Sequence, residues 1–129
     1  MFGPHYKTMD EFEPWLAENL FDVIQPDMRT VGFTNALRAA DVAERHGKTF
    51  VPHNWNSELG KLMSIHLARL RRSVRFVEDD RWSNDALDAS GYRFENGQWF
   101  CAEEAGWGVR LTDAYTNAAS GGRETTITR

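Results

Sequence analysis

The chain has 129 residues, of which 41% are hydrophobic and 26% are charged, and its formal net charge at pH 7 is -4. This composition is typical of one soluble globular domain and excludes an intrinsically disordered chain. The acidic balance, without a long block of either sign, argues against nucleic-acid binding, for which a basic surface is expected.

The cysteine content and the distribution of apolar residues indicate a compartment. The single cysteine, Cys101, cannot form an internal disulfide, so a reducing, cytoplasmic location is expected. No apolar run approaches the roughly 18 residues that a membrane span requires. The N-terminus also lacks the apolar core of a signal peptide, so we expect no association with a membrane.

The chain begins with a helix pattern and a strand pattern. The sequence TMDE has the form of a capping box. The apolar residues after it recur at helical spacing, which predicts a helix over residues 9 to 20 with Thr8 as its N-cap. A short apolar strand around Val23 follows, and it ends at Pro26.

Two further helix–strand pairs follow in the same order. Thr34 is predicted to cap the second helix, and Gly47 lies where a C-terminal glycine belongs. TFVP is the next strand, Ser57 opens the third helix, and VRFVED at residues 74 to 79 is the third strand. The alternation of helices and strands implies right-handed crossovers and a parallel sheet.

The last third of the chain has a different pattern. YRFENGQWFC places the pair Asn96-Gly97 between aromatic-rich runs, which predicts a β-hairpin. GWGVRL is an irregular segment punctuated by glycine, and the polar end reads as a flexible tail. We therefore expect an α/β part over residues 1–90, a hairpin and return segment over residues 91–112, and a tail over residues 113–129.

Three titratable side chains recur at predicted strand ends. Asp27, His53 and Glu78 each lie at or just past the end of a short apolar strand, and they are 26 and 25 residues apart. In parallel sheets, functional groups collect at the carboxyl ends of the strands. Because neighbouring strands lie ~4.8 Å apart, we expect Asp27 and His53 to touch, with Glu78 one strand further along.

Each of these residues also has a purely structural interpretation. Asp27 could cap the turn that follows the first strand, and His53 could be a loop histidine with a structural hydrogen bond. Glu78 belongs to the acidic run EDD, so it could be a solvated charge, and Asp79 would take its place if the register slipped. The four histidines lack the spacing of metal ligands, and Cys101 has no base within sequence reach.

Several stretches resemble a known family. DVIQPDM, ALRAADVAERHGKTFVPHNWNSELG, IHLARL and RFVED resemble, in this order, the last third of the enolase superfamily barrel in its mandelate racemase and muconate lactonizing enzyme branch. GWGVRL resembles the segment that follows the barrel there, and the resemblance covers residues 8 to 112. It implies an α/β fold, namely the C-terminal portion of a (β/α)7β TIM-like barrel with about three βα units, followed by a β-hairpin and an irregular segment.

The resemblance also implies a chemistry. Members of the family abstract the proton α to a carboxylate and stabilise the enediolate on Mg²⁺. By this resemblance, Asp27 would orient His53, His53 would act as general base or acid, and Glu78 would hydrogen-bond the substrate carboxylate. Histidine titrates near neutral pH, where proton transfer is efficient.

The residues after the predicted histidine point to a group within the family. The run HNW looks more like the acid-sugar dehydratases than the racemases. It implies that Asn54 and Trp55 contact an acid-sugar or 2-hydroxy-carboxylate substrate. An indole that covers the rim of the barrel is an equal alternative for Trp55.

The resemblance places the rest of the site outside this chain. The Mg²⁺ ligands of the family are three carboxylates that end the third, fourth and fifth strands, and a second base is a lysine in a K-x-K motif. The lysines here are Lys7, Lys48 and Lys61, which form no such motif. We therefore expect this chain to bind no Mg²⁺ by itself and to have little or no dehydratase or racemase activity alone.

A three-stranded parallel sheet has two open edges with unpaired backbone groups. These edges imply a second copy of the chain or a separately encoded N-terminal half as partner. The alternative class is a non-catalytic α/β module, or a subunit of a split enzyme, that associates through its sheet edges.

Overall fold

The computed structural model describes residues 12–119, and the chain divides into two compact units at the junction of Ser83 and Asn84. The sequence had placed the end of the α/β part at residue 90. The first unit contains, in chain order, α1 (Glu13–Ala17), β1 (Val23–Ile24), α2 (Met28–Val31), α3 (Phe33–Arg45), β2 (Thr49–Phe50) and α4 (Glu58–Leu70).

The core of the first unit lies where α3 packs on the sheet. Phe50 in β2 and Ile24 in β1 are fully buried, and each stabilises the fold by roughly 1.5–3 kcal/mol relative to an exposed position. The buried face of α3 carries small side chains, which allow its backbone to approach the strands closely. These residues are Ala36, Ala39, Ala40 and Ala43.

β1 and β2 pair in parallel, with Val23 opposite Thr49 and Ile24 opposite Phe50. The parallel pairing predicted from the sequence is therefore confirmed for these two strands. Past the strands, an isolated parallel bridge joins Asp27 to His53. The ends of β1 and β2 thus lie beside each other, as the sequence predicted.

The predicted third strand over residues 74 to 79 is wrong, because residues 74 to 84 form neither helix nor strand. The Phe50 N–H donates to the Ser73 carbonyl at 2.9 Å, so the segment starts beside β2. Further along, carboxylate side chains rather than carbonyl groups accept from the neighbouring loop. Glu78 and Asp80 are these acceptors, which explains why no strand ladder forms.

Two of the predicted helix ends are confirmed and one is wrong. The Ser57 side chain accepts from the Gly60 N–H at the start of α4, and Gly47 adopts a positive φ of 65° after α3. Thr34 lies inside α3 instead of capping it. Gly32, at φ 73° and ψ 159°, is the N-cap, because this conformation turns the chain directly from α2 into α3.

The first predicted helix is shorter than its sequence pattern. α1 ends at Ala17, three residues before the predicted end at residue 20. Asn19 follows with a positive φ of 59°, a conformation that a right-handed helix does not accommodate. The predicted capping box around Thr8 lies outside the described residues.

The second unit consists of short antiparallel pairs. Its elements are β3 (Leu87–Asp88), β4 (Arg93–Glu95), β5 (Gln98–Phe100), β6 (Arg110–Leu111) and α5 (Asp113–Ala119), with β4 paired to β5 and β3 to β6. Asn96 and Gly97 have φ values of 51° and 81°, which suit a tight hairpin turn, and the predicted hairpin is confirmed. Residues 113 to 119 of the predicted tail form α5, whose side chains are all exposed.

The irregular segment of the second unit requires glycine at one position. Gly108 has a φ of 61°, and a Cβ added there would lie 2.4 Å from the Cβ of Ala102. Among the described residues of this unit, Ala102 and Tyr92 are the buried apolar ones, and the Tyr92 hydroxyl donates to the Trp107 carbonyl. Within residues 12–119, no helix is both long and apolar enough to cross a membrane.

Candidate functional site

Asp27 lies at the end of β1 and is the N-cap of α2. One carboxylate oxygen accepts from the backbone N–H of Arg29 at 2.7 Å and from that of Thr30 at 3.1 Å. The other oxygen lies 3.4 Å from the Arg29 guanidinium, and Asp27 is only 6% exposed. These bonds satisfy N–H groups that a helix start leaves unpaired. The capping interpretation of Asp27 therefore describes its contacts.

The backbone of His53 is fixed beside Asp27. The His53 N–H donates to the Pro26 carbonyl at 3.0 Å, and the His53 carbonyl accepts from the Met28 N–H at 3.3 Å. This pair of bonds is the parallel bridge between the two strand ends. It sets the point from which the imidazole leaves the backbone.

The ring of His53 contacts Glu78. Its Nδ1 lies 2.6 Å from Oε2 of Glu78, and the two side chains are 23% and 34% exposed. The same oxygen accepts from the Asn54 N–H at 2.8 Å, and Nε2 of Gln25 lies 3.5 Å from it. Glu78 is thus held by three groups from neighbouring strand ends. It is the residue of the acidic run that meets the histidine, and Asp79 is not.

The histidine therefore has a carboxylate partner, and that partner is Glu78. Within residues 12–119, none of the hydrogen bonds of the Asp27 carboxylate involves His53. Orientation of His53 by Asp27 stays a prediction. A carboxylate without a proton only accepts hydrogen bonds, so in a contact with such a group Nδ1 of His53 is the donor.

Asn54 and Trp55, predicted to contact substrate, lie in different environments. Asn54 is 1% exposed, and both atoms of its side-chain amide lack a hydrogen-bond partner among the described residues. Its side chain packs against Gly60, where an added Cβ would lie 2.5 Å from the Asn54 Oδ1. Trp55 is 59% exposed. Asn54 therefore meets Glu78 through its backbone N–H, and the Trp55 indole is accessible. Contact of these two residues with a substrate stays a prediction.

The sequence reasoning missed a second contact between the same two segments. The Asn56 N–H donates to Oδ2 of Asp80, two residues beyond the bond from Asn54 to Glu78. Partial desolvation acts to raise the pKa of Asp80, but hydrogen bonds from the N–H groups of Asn56 and Trp82 outweigh it and lower the pKa. The available signal was the pair of acids two residues apart, at positions 78 and 80, opposite Asn54 and Asn56.

The described residues do not form a metal site. Within residues 12–119, no three His, Cys, Asp or Glu side chains are arranged to hold a metal ion. The carboxylates at the strand ends are occupied by backbone N–H groups and by the imidazole. These residues by themselves do not fit the Mg²⁺ of the enolase superfamily.

The family model described as enolase C-terminal domain-like matches residues 1–115. The chain belongs to this family. Its solved relatives include galacturonate dehydratase from Geobacillus sp. in complex with D-galacturonate and 5-keto-4-deoxy-D-galacturonate, at 28% identity and a TM-score of 0.79 over 89% of this chain. A mutant of that dehydratase in complex with Mg is 30% identical over 81% of this chain, with a TM-score of 0.75.

A third relative extends the likeness within the same branch. It is a mandelate racemase/muconate lactonizing protein from Geobacillus sp. in complex with magnesium and tartrate, at 28% identity and a TM-score of 0.78 over 89% of this chain. The chain spans 28%, 31% and 30% of the length of these three solved chains. A search of curated proteins found no match. The resemblance to the mandelate racemase and muconate lactonizing enzyme branch is thereby confirmed.

Proposed function

We propose that this chain supplies the C-terminal part of a (β/α)7β barrel in an enzyme that abstracts the proton α to the carboxylate of an acid sugar, as a dehydratase or racemase. The observation that carries the proposal is the pair of His53 and Glu78, whose Nδ1 and Oε2 lie 2.6 Å apart beside the end of β1. The 28% identity to a galacturonate dehydratase supports an acid sugar as the substrate class.

His53 is the proposed base. The Glu78 carboxylate on Nδ1 fixes the orientation of the ring and selects the tautomer in which Nε2 can accept a proton. Nε2 takes the α-proton, and the electron pair of the broken C–H bond moves into the carboxylate group to form an enediolate. Mg²⁺ would stabilise that dianion in the complete enzyme, with ligands from outside residues 12–119.

Asp27 and Trp55 have secondary roles in this proposal. Asp27 caps the start of α2 and so fixes the strand end beside which His53 lies. If the Asp27 carboxylate is released from this cap, it orients His53. In this proposal Trp55 covers the substrate at the rim, a role that its exposure of 59% supports. A single free cysteine, Cys101, suits a cytoplasmic enzyme.

The remaining part of the barrel would come from another segment or another polypeptide. The chain spans 31% of the length of the dehydratase, and Phe76, in the irregular segment after Ser73, is 66% exposed. An exposed apolar side chain of this size, on a segment without a strand ladder, is suited to burial by a neighbouring chain. We propose an N-terminal half of the same family, or a second copy, as that neighbour.

A chimera tests the proposal. Residues 12–119 replace the corresponding part of the Geobacillus galacturonate dehydratase, and exchange of the α-proton of D-galacturonate with deuterated solvent is measured in the presence of Mg²⁺. We expect exchange in the chimera and background exchange in the isolated chain. His53→Asn is expected to reduce the rate by about 10²–10⁴-fold, because it removes the base.

The matched control is His46→Asn, which changes an imidazole at the end of α3, away from the site. It should leave the exchange rate unaltered. A folded chimera in which His53→Asn exchanges as fast as the parent would refute the proposal. A folded chimera without exchange would favour the alternative, a non-catalytic α/β module, which the burial of Asn54 also suits.

A further inference from the structure

Lys61, in the first turn of α4, is a buried cation that the proposed chemistry does not use. Its side chain is 6% exposed, and its Nζ donates to the Trp82 carbonyl at 3.1 Å. The same nitrogen lies 3.7 Å from Oδ1 of Asp79, whose side chain is 12% exposed. Lysine is almost never buried to this extent unless it is paired. The two contacts of Lys61 are therefore what permits its burial, and both are made to the segment that contains Glu78.

The segment that Lys61 contacts has no regular structure of its own. Residues 74 to 84 form neither helix nor strand, so no strand ladder fixes the position of Glu78. Three consecutive acids lie in this segment, and each has different partners. Glu78 meets His53 and the Asn54 N–H, and Asp80 accepts from the Asn56 N–H, on the loop after β2.

Asp79, between these two acids, is the carboxylate of the segment that lies beside Lys61 of α4. Arg81 also contacts it: the backbone N–H donates to Oδ1 at 2.9 Å within the same segment, and Nε lies 3.4 Å from Oδ2, but the guanidinium is 63% exposed. An exposed ion pair contributes little and is weakened by salt. Lys61 is the buried partner, and its bond to the Trp82 carbonyl fixes the segment at a second point.

We propose that Lys61 is a positioning residue that binds Asp79 and the Trp82 carbonyl and so fixes the segment that contains Glu78. The Glu78 carboxylate is thereby held at hydrogen-bonding distance from His53 and from the Asn54 N–H. Hydrogen bonds of 2.6 and 2.8 Å tolerate shifts of only a few tenths of an ångström. A displacement of Asp79 would move the adjacent Glu78 by a comparable amount. The consequence for catalysis rests on the function proposed above, but the positional claim does not.

Amide hydrogen exchange in the 129-residue chain, followed by NMR, tests this claim without an activity assay. In Lys61→Met, exchange at Asn54 and Asn56 is expected to accelerate about tenfold more than at Val51. Val51 donates to the Ile24 carbonyl within the sheet and reports general destabilisation. A merely structural role of Lys61 would accelerate all three amides by the same factor.

Lys48→Met is the matched control. Lys48 is a lysine of similar burial, with a side chain 8% exposed, and it pairs with Asp22 at 2.9 Å near the start of β2. We expect this variant to leave the ratio of exchange at Asn54 to that at Val51 unchanged. Lys61→Arg keeps the charge and is expected to restore that ratio at least in part.

A second signature is the carboxyl of Asp80. The charge of Lys61 contributes to lowering the pKa of Asp80, so this pKa is expected to rise in Lys61→Met.

If Lys61→Met fails to fold, Asp79→Asn decides the question, since it removes the charge of the partner with little change of shape. Selective acceleration at Asn54 supports the inference. Uniform acceleration, no acceleration, or failure of Lys61→Arg to restore the ratio overturns it.

Discussion

Two acids stand beside His53, and they are held in opposite ways. The Asp27 carboxylate is bound by backbone N–H groups two and three residues further along, so its position is fixed by the local chain. The Glu78 carboxylate is bound by Asn54 and His53, 24 and 25 residues earlier, and approached by Gln25. The first arrangement needs only the start of α2. The second exists only when β1, β2 and the segment after Ser73 are folded together.

The difference indicates how an acid at a strand end becomes available for chemistry. A carboxylate that caps the next helix stabilises the fold, and that use competes with a contact to the imidazole. A carboxylate on an irregular segment has no helix to cap and can meet the ring. The position of that carboxylate then depends on the side chains that fix the irregular segment. The following predictions separate the local arrangement from the distant one.

The largest effect is expected for Gly60→Ala. A Cβ at residue 60 would lie 2.5 Å from Oδ1 of Asn54 and 3.0 Å from Oγ of Ser57, so the loop after β2 must shift. We expect a loss of about 1–3 kcal/mol in the free energy of unfolding. Exchange at the Asn54 amide should accelerate, whereas the Arg29 amide bound to Asp27 should be unaffected. Urea denaturation and amide exchange measure the two effects.

A double variant provides the control for this prediction. Asn54→Ala removes the atom that the new methyl group meets most closely. In that background, Gly60→Ala is expected to cost clearly less than it does alone. Equal costs in both backgrounds would show that the helix start, and not the Asn54 contact, requires glycine at residue 60.

The next effect concerns the acid held locally. Asp27→Ala removes both bonds to the first turn of α2, and its expected cost is about 1–2 kcal/mol in the free energy of unfolding. Asp27→Asn keeps an oxygen that can cap the helix, so it should cost less than half as much. Thermal denaturation of the two variants measures this difference.

The same pair of variants decides between the two roles of Asp27. In the galacturonate dehydratase chimera, a residue that only caps α2 tolerates asparagine. A carboxylate that orients His53 does not, because an amide cannot replace its charge on the imidazole. If Asp27→Asn abolishes exchange of the substrate α-proton without a loss of stability, Asp27 orients His53 as predicted. Capping of α2 would then not be its only role.

Glu78→Gln is expected to have a smaller effect on stability, of about 0.5–1.5 kcal/mol, because the side chain is 34% exposed and the amide can still accept one hydrogen bond. The variant loses the charge that binds the Asn54 N–H. The Asn54 amide resonance should therefore move upfield while the Arg29 resonance stays in place. A shift of both resonances would mean that the two acids are not held independently.

Sequence reasoning recovered the parts of the site that local patterns determine. Short apolar runs located β1 and β2, and the position of His53 after the second run placed it beside Asp27. Ser57 and Gly47 marked helix ends because capping depends on the residue itself and its immediate neighbours. The Asn96-Gly97 turn was predictable for the same reason.

The remaining features depend on contacts between distant residues. VRFVED has the composition of a strand, yet the carboxylates of Glu78 and Asp80 take the N–H groups that a ladder would use. The pairing of His53 with Glu78 joins residues that are 25 apart, and the neighbouring Asp79 lies 3.7 Å from Lys61, with which it shares no local sequence pattern. The sequence also carries no sign that the Asn54 amide points into the core against Gly60.

The smallest expected effect is a pH dependence that belongs to the distant arrangement. The pKa of Asp80 lies below its ordinary value of 3.8 in the folded chain, where the N–H groups of Asn56 and Trp82 outweigh the effect of desolvation. A group with a lowered folded-state pKa stabilises the fold above its unfolded pKa. This contribution is lost as pH falls through the folded value. The free energy of unfolding of the parent chain should therefore fall more steeply below pH 3.8 than that of Asp80→Asn.

Asp22 allows this effect to be assigned to one place in the structure. Its pKa is also lowered, by a hydrogen bond and by charge attraction from Lys48, so Asp22→Asn should reduce the same slope. Only protonation of Asp80 weakens the hydrogen bond from the Asn56 N–H, because it removes the charge of the acceptor. The Asn56 amide resonance should accordingly titrate below pH 3.8 in the parent and in Asp22→Asn, and not in Asp80→Asn. An Asn56 resonance that titrates identically in all three proteins would show that its amide is not bound to Asp80. The segment that carries Glu78 would then lack one of the contacts that distinguish it from the cap at Asp27.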